Sequence, residues 1–103
     1  MRFNEKVYNL CRKIPKGKIT TYKIIAEALN TRAYRQVGKA LRNNPRPLKV
    51  PCHRVVSSSG YLHGFKGSTS LKRLKEKQSL LEKEGLTIKN NKIKDFEERL
   101  FEF

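Results

Sequence analysis

A cysteine and a histidine are adjacent in the segment VPCHRVV, which runs from Val50 to Val56. The thiolate is the reactive form of cysteine, and it needs a base, a positive neighbour or a helix N-terminus to form at neutral pH. His53 is the nearest base in sequence, but adjacent side chains of a simple strand point to opposite faces. The segment therefore predicts either a nucleophilic Cys52, linked to His53 by a kink or a bridging water, or a buried and inert cysteine.

Other uses of these residues are less favoured. Cys11 lies far from Cys52, and His53 and His63 lack the short paired spacing of structural zinc sites. No apolar run reaches the ~20 residues of a membrane span, and the N-terminus lacks a signal-peptide pattern. We expect a cytoplasmic protein with reduced thiols, without metal, cofactor or membrane contact, in which Cys11 packs in the core.

The chain is short and strongly basic. It has 103 residues, with 24 Lys and Arg against 9 acidic residues, for a net charge of +15. We expect a single domain over residues 1–103. The charge favours a polyanionic partner, because each Lys or Arg near a phosphate releases condensed counterions. A compositional bias toward lysine would produce the same charge, so the charge leaves both interpretations open.

The elements that must position Cys52 are predicted to be mainly helical. Apolar spacing indicates a first helix that ends before Pro15. TTYKIIAEALN predicts a second helix, capped by Thr20 or Thr21, with a buried stripe of Ile24, Ile25, Ala28 and Leu29. RQVGKALRNN predicts a third helix whose core residues are Val37, Ala40 and Leu41. The tight connection between the last two predicts a helix-turn-helix over about residues 21–43.

The third helix carries a basic face formed by Arg35, Lys39 and Arg42, which recur at helical spacing. Such a face is often only solvated surface. Gly38 costs roughly 1 kcal/mol in a helix relative to alanine. Its presence indicates either a close approach of another backbone, from protein or DNA, or a tolerated glycine.

The rest of the chain predicts a loop, one more long helix and a small amount of β structure. Three prolines favour a non-helical active-site loop over about residues 44–67, in which HRVV is a short strand and SSSG a turn. A fourth helix is expected from near Ser70 to Gly85, with apolar residues Leu71, Leu74, Leu80 and Leu81. LTIKNNKIKDF predicts a β-hairpin around its two asparagines, and FEERLFEF a final helical turn.

Four of these segments together resemble one family. PCHRV resembles the active-site signature of the O6-alkylguanine-DNA alkyltransferases. ITTYKIIAEAL and YRQVGKALRNNP resemble the two helices of that family's helix-turn-helix, and SLLEKEGL resembles a later segment. The similarity extends over roughly residues 3–86 in consistent order, which is far more specific than any single motif. It implies a mainly α, winged-helix-like DNA-binding domain with a short β-hairpin and a minor β component.

The resemblance implies a DNA repair protein that flips O6-alkylguanine out of duplex DNA and transfers the alkyl group to its own cysteine once, irreversibly. The partner would be double-stranded DNA entered through the minor groove. We expect a DNA-associated monomer. Cys52 would be the alkyl acceptor, His53 its base through a water, and Glu84 the group that orients His53. Asn44 would join the helix-turn-helix to the active-site turn, and Tyr22 would donate to guanine N3.

The family also implies residues that hold DNA. Arg35 would fill the gap left by the flipped nucleotide. Independently of the resemblance, Lys39, Arg42 and the lysine-rich stretch from Lys66 to Lys77 could hold phosphates without reading sequence, and Gly38 would lie against the DNA backbone. Backbone groups of Cys52, Val55 and Lys66 would bind the edge of the flipped base.

Two departures from the family and two rival functions accompany this assignment. The chain begins almost at the first helix, so we expect a minimal version without the N-terminal domain of many members. Ser68 stands where a second glycine is usual, in a loop that is longer than the family's.

One rival is a non-enzymatic alkyltransferase-like protein that flags alkylated guanine. Such proteins typically replace the cysteine, often with tryptophan, whereas this chain has Cys52 and no tryptophan. The other rival is a helix-turn-helix module with no lesion role.

Overall fold

The computed structural model describes residues 2–62 and 70–103, and it confirms a mainly helical fold with small sheets. The helices are α1 (Phe3–Cys11), α2 (Tyr22–Ala28), α3 (Tyr34–Arg42), α4 (Leu71–Lys83) and α5 (Phe96–Arg99). The strands β1 (Thr20–Thr21) and β2 (Val55–Val56) pair in parallel, with Thr20 opposite Val55. The strands β3 (Ile88–Lys89) and β4 (Lys92–Ile93) form an antiparallel hairpin.

Helices α2 and α3 form the predicted helix-turn-helix, and α1 packs against α3. Thr21 caps α2, since its hydroxyl accepts a hydrogen bond from the Ile24 amide at 3.1 Å. The core residues predicted for α3 are all buried. On the α1 side, the Tyr8 hydroxyl donates to the Ala40 carbonyl at 2.7 Å.

The buried stripe predicted for α2 is partly wrong. Ile25 and Ala26 are buried, Ile24 is half-buried and Ala28 is exposed. The face that meets the core follows the helical spacing of Tyr22, Ile25, Ala26 and Leu29. The apolar run IIAEAL fits either face by composition, so only packing against α3 and β1 determines which side is buried.

The core has two parts, and the segment around Cys52 connects them. The first part lies among α1, α2 and α3 and includes Cys11, which is fully buried as predicted, together with Cys52 and Val55. The second part lies between α4, β2 and the C-terminal hairpin and includes Val56 and Leu81. The backbone from Cys52 to Val56 is therefore held on both sides by packed apolar side chains.

The C-terminal elements agree with their sequence signals. Ser70 caps α4, and Gly85 follows that helix with φ +95°. The two asparagines of the hairpin turn, Asn90 and Asn91, have φ of +52° and +61°. Beyond α5 the chain runs beside β1, where the Phe101 amide donates to the Ile19 carbonyl at 2.7 Å.

Candidate active site

The segment Cys52–Arg54 forms a single 3₁₀ turn, and the strand predicted for HRVV is confined to Val55–Val56. Pro51 precedes the turn with ψ 68°, and its carbonyl accepts the Arg54 amide at 3.0 Å. The proline approach thus bends the chain before β2 can pair. A 3₁₀ turn rotates successive side chains by about a third of a circle. Cys52, His53 and Arg54 therefore do not alternate between two faces.

His53 and Glu84 form a buried pair. The His53 Nε2 atom lies 2.9 Å from the Glu84 Oε2 atom, and the side chain of His53 is 2% exposed. Glu84 reaches this position because it is the C-cap residue that follows α4, directly before the glycine turn. Nδ1 of His53 is buried and has no hydrogen-bond partner among the described residues. Nε2–H donating to a carboxylate leaves Nδ1 as the proton acceptor.

The electrostatics favour a neutral His53. Burial lowers the pKa of His53, the hydrogen bond and charge of Glu84 raise it, and the charges of Arg54 and Lys77 lower it further. The net direction is downward, so the imidazole is the uncharged form at neutral pH. A neutral imidazole can accept a proton, which a base for Cys52 requires.

Arg54 binds the same carboxylate, a contact that sequence reasoning missed. Its Nε donates to Glu84 Oε1 at 2.9 Å, and its Nη2 donates to Oε2 at 2.7 Å. Its Nη1 donates to the Ile14 carbonyl at 2.7 Å. Burial raises the pKa of Glu84, but the hydrogen bonds from Arg54 and His53 outweigh burial and lower this pKa overall. Glu84 is therefore a carboxylate.

Tyr22 and Asn44 lie where the helix-turn-helix meets the turn. Tyr22 packs against the apolar cluster that contains Cys52. Burial raises the pKa of the Tyr22 phenol to about 12, helped by Cys52 and opposed by Arg42, so the phenol keeps its proton. The Asn44 side chain donates to the Val50 carbonyl and accepts from the Arg46 amide, both at 2.9 Å. It thus connects the end of α3 to the approach to Cys52.

The basic side chains of α3 lie on the exposed side of that helix. Arg35, Lys39 and Arg42 are exposed, and Arg35 lies in the first turn of the helix. Gly38 is half-buried, and no described atom lies within 4 Å of where a Cβ would be. Internal packing with the described residues therefore does not require glycine there, which leaves open both predicted interpretations, an external backbone that approaches α3 and a tolerated glycine.

The predicted phosphate role of Lys77 is wrong, because Lys77 is 1% exposed. Its Nζ donates to the Val55 carbonyl at 2.7 Å and to the Leu62 carbonyl at 2.6 Å. Burial lowers the pKa of Lys77 to about 7. The sequence did hold a signal, because Lys77 shares a helical face with Leu74 and Leu81. Lys66, predicted to contact the base, lies outside the described residues.

Neither a membrane span nor a metal site is found in the part of the chain that the structure describes. No helix there is long and apolar enough to cross a membrane. No group of three or more His, Cys, Asp or Glu side chains there is placed to hold a metal ion.

Comparison with known protein sequences gives a consistent result. The family model described as 6-O-methylguanine DNA methyltransferase, DNA binding domain, matches residues 2–86. The methylated-DNA–protein-cysteine methyltransferase of Metallosphaera sedula is 47% identical over 92 residues, which cover 89% of this chain and 54% of that protein. The Candida glabrata protein of the same name is 43% identical over 88 residues, covering 84% and 40%. The chain spans about half the length of these relatives.

Solved structures are similar over the same region and beyond it. Schizosaccharomyces pombe Atl1, in complex with damaged DNA containing O6-carboxymethylguanine, superimposes with a TM-score of 0.83 at 32% identity. The match covers 100% of both chains. Mycobacterium tuberculosis OGT in complex with DNA gives a TM-score of 0.74 at 36% identity, covering 82% of this chain and 49% of that one.

Proposed function

The chain belongs to the family of the 6-O-methylguanine DNA methyltransferase DNA-binding domain, and on that premise we propose that it removes alkyl groups from O6 of guanine in DNA. Cys52 accepts the group in a single irreversible turnover. The observation that carries this proposal is the His53–Glu84 pair, in which Nε2 of His53 lies 2.9 Å from the carboxylate, within the 3₁₀ turn that begins at Cys52. A thiol next to an oriented, neutral imidazole is the arrangement that activates a cysteine nucleophile.

The transfer is a displacement at the alkyl carbon. A bond forms between that carbon and Sγ of Cys52, and the bond between the carbon and guanine O6 breaks. His53 takes the thiol proton at Nδ1 through a bridging water, and Glu84 stabilises the imidazolium that results. Tyr22, whose raised pKa keeps the phenol protonated until the reaction, passes its proton to guanine N3 as the O6–carbon bond breaks, so that the base leaves uncharged. The proton that His53 took from the thiol then restores the phenol. The product is a thioether, which water does not reverse.

Reaching guanine O6 requires the nucleotide to leave the duplex, at a cost of a few kcal/mol. We propose that α3 enters the minor groove, with Arg35 filling the gap and Lys39 and Arg42 contacting phosphates. The open space above Gly38 lets the DNA backbone approach. Val55 is fully buried and its carbonyl accepts from Lys77, so contact of its second lone pair with the base edge requires this segment to become accessible when DNA binds.

A second candidate function has one observation in its favour. The Atl1 structure superimposes with a TM-score of 0.83, against 0.74 for OGT. This favours an alkyltransferase-like protein that binds alkylated guanine and signals to another pathway. The cysteine at position 52, with its paired histidine, favours transfer instead.

Intact mass separates these functions. After incubation with a duplex containing O6-methylguanine, the intact mass of the protein should increase by one methyl group in place of one hydrogen. Cys52→Ala should abolish the gain, and Cys11→Ala should retain it, because Cys11 is fully buried with a pKa raised by burial to about 12. Lesion-selective binding without a mass change would support the signalling function. Equal binding to damaged and normal duplexes would support a general DNA-binding module.

Replacing Arg35 by alanine should slow repair of duplex DNA by about tenfold or more, because the flipped state loses its inserted side chain. Reaction with free alkylguanine base should change little. The matched control is Lys39→Ala on the same exposed helix face. This variant should bind DNA more weakly, and the slope of log binding constant against log salt concentration should decrease by about one. Single-turnover rates on both substrates make the comparison, and equal losses on the two substrates for Arg35→Ala would contradict the insertion role.

A further inference from the structure

Arg54 is fixed by three hydrogen bonds that leave its guanidinium little freedom. Two of them form a fork on the two oxygens of Glu84, at 2.9 and 2.7 Å, and the third reaches the Ile14 carbonyl at 2.7 Å. The side chains of Arg54 and Glu84 are each 12% exposed. Fork-on-carboxylate pairs of this kind are short and directional. Arg54 therefore anchors the end of α4 to the 3₁₀ turn and to the segment after α1.

The shared oxygen makes this pair important for His53. Glu84 Oε2 accepts from both Arg54 Nη2 and His53 Nε2. A carboxylate without the guanidinium would hold an imidazolium beside it, because an opposite charge favours the protonated ring. With the guanidinium in place, the carboxylate is already neutralised and still orients the ring.

We propose that Arg54 is a positioning residue that keeps His53 neutral, with its Nε2–H directed at Glu84 and its Nδ1 available to accept the thiol proton. This inference rests on the proposed alkyl transfer and names a further residue that supports it. Arg54 acts through Glu84 and His53 and does not itself contact the alkyl group. Among the described residues, the charged groups that act on His53 are Glu84 and Lys77 from α4 and its cap, and Arg54 from the turn.

The effect of removing Arg54 has a definite sign. The charge of Arg54 lowers the pKa of His53, and Glu84 raises it. Arg54→Met removes the lowering charge and leaves the carboxylate uncompensated, so the pKa of His53 rises. Glu84→Gln removes the raising charge, so the pKa of His53 falls. The two variants thus shift the ionisation of one ring in opposite directions.

The test combines an NMR titration with a pH–rate profile. Imidazole ¹⁵N shifts of the free protein follow His53, and a His63→Gln background assigns the signal, since the chain has 2 histidines. For Arg54→Met we expect the midpoint of His53 and the acid limb of the transfer rate to move up together. A one-unit shift makes the rate below the midpoint about tenfold lower relative to the alkaline plateau, and that plateau itself falls because Arg54→Met also removes the fork. Arg54→Lys keeps the positive charge but loses the fork on Glu84. The titration midpoint of His53 in this variant should therefore stay near that of the wild type, while the alkaline plateau of the transfer rate should fall.

The outcomes are distinct. An upward shift in Arg54→Met with a downward shift in Glu84→Gln supports the inference. An unchanged His53 midpoint in folded Arg54→Met and Arg54→Lys, with rates lowered equally at every pH, would overturn it and leave Arg54 a structural residue. The control Arg32→Met removes an exposed positive charge and should leave the midpoint unchanged. The NMR arm needs no activity, so failure of the wild type to accept a methyl group would reject the proposed function separately.

Discussion

Replacing His53 by glutamine is expected to slow alkyl transfer at neutral pH by about two to four orders of magnitude, the usual contribution of a positioned general base. The glutamine amide can donate to Glu84 in place of the imidazole Nε2–H, which lies 2.9 Å from that carboxylate. The variant therefore removes the proton acceptor while keeping the donor that satisfies Glu84.

The measurement is a single-turnover rate on a duplex containing O6-methylguanine, taken at saturating protein so that binding does not limit it. Lesion affinity should stay close to that of the wild type, because His53 is buried and faces Glu84. The difference in transfer rate between the wild type and His53→Gln should become smaller at alkaline pH, where hydroxide can take the thiol proton. A wild-type rate in His53→Gln at neutral pH would show that Cys52 does not use this base.

Replacing Lys77 by methionine is expected to change how stability depends on pH. The folded protein lowers the pKa of Lys77 to about 7 from 10.5 by burial. The folded state therefore favours the neutral amine. Its stabilising contribution is fully present above the unfolded pKa and is lost as pH falls from 10.5 toward 7.

The difference in unfolding free energy between wild type and Lys77→Met should then shift in favour of the wild type by about 1.4 kcal/mol for each pH unit from 7 upward. Urea unfolding at two pH values within this window measures it, and the many exposed lysines cancel in the difference. Leu71→Met on the exposed side of α4 serves as the control, since Leu71 is 67% exposed. Parallel pH dependence of wild type and Lys77→Met would show that the buried amine does not titrate differently in the folded state.

Much of the fold could be predicted because its elements carry local signals. The cap at Thr21, the glycine after α4 and the two asparagines of the hairpin each fix a boundary through backbone chemistry. The buried side of α2 could not be predicted, because its apolar residues fit two faces of a helix. Only packing against α3 and β1 distinguishes them.

The candidate site was predictable where it depends on family motifs and not where it depends on long-range contacts. Cys52 and His53 are adjacent in sequence, whereas Glu84 lies 31 positions after His53. Only the family resemblance predicted from the sequence that these three residues belong to one site. The 3₁₀ turn was missed because HRVV has the composition of a strand. The internal contacts of Arg54 and Lys77 were missed because a charged residue is usually exposed. Their acceptors are also distant in sequence: Glu84 lies 30 positions from Arg54, and Val55 lies 22 positions from Lys77.

In the proposed reaction the alkyl group leaves DNA and becomes bonded to Cys52. The most direct test uses a duplex carrying O6-trideuteromethylguanine, followed by peptide mapping of the protein and base analysis of the DNA. We expect one labelled methyl group per protein, located on the peptide that contains Cys52, with unmodified guanine restored in the DNA. Label that stays on the guanine while the protein binds the lesion, or label on any other residue, would contradict it.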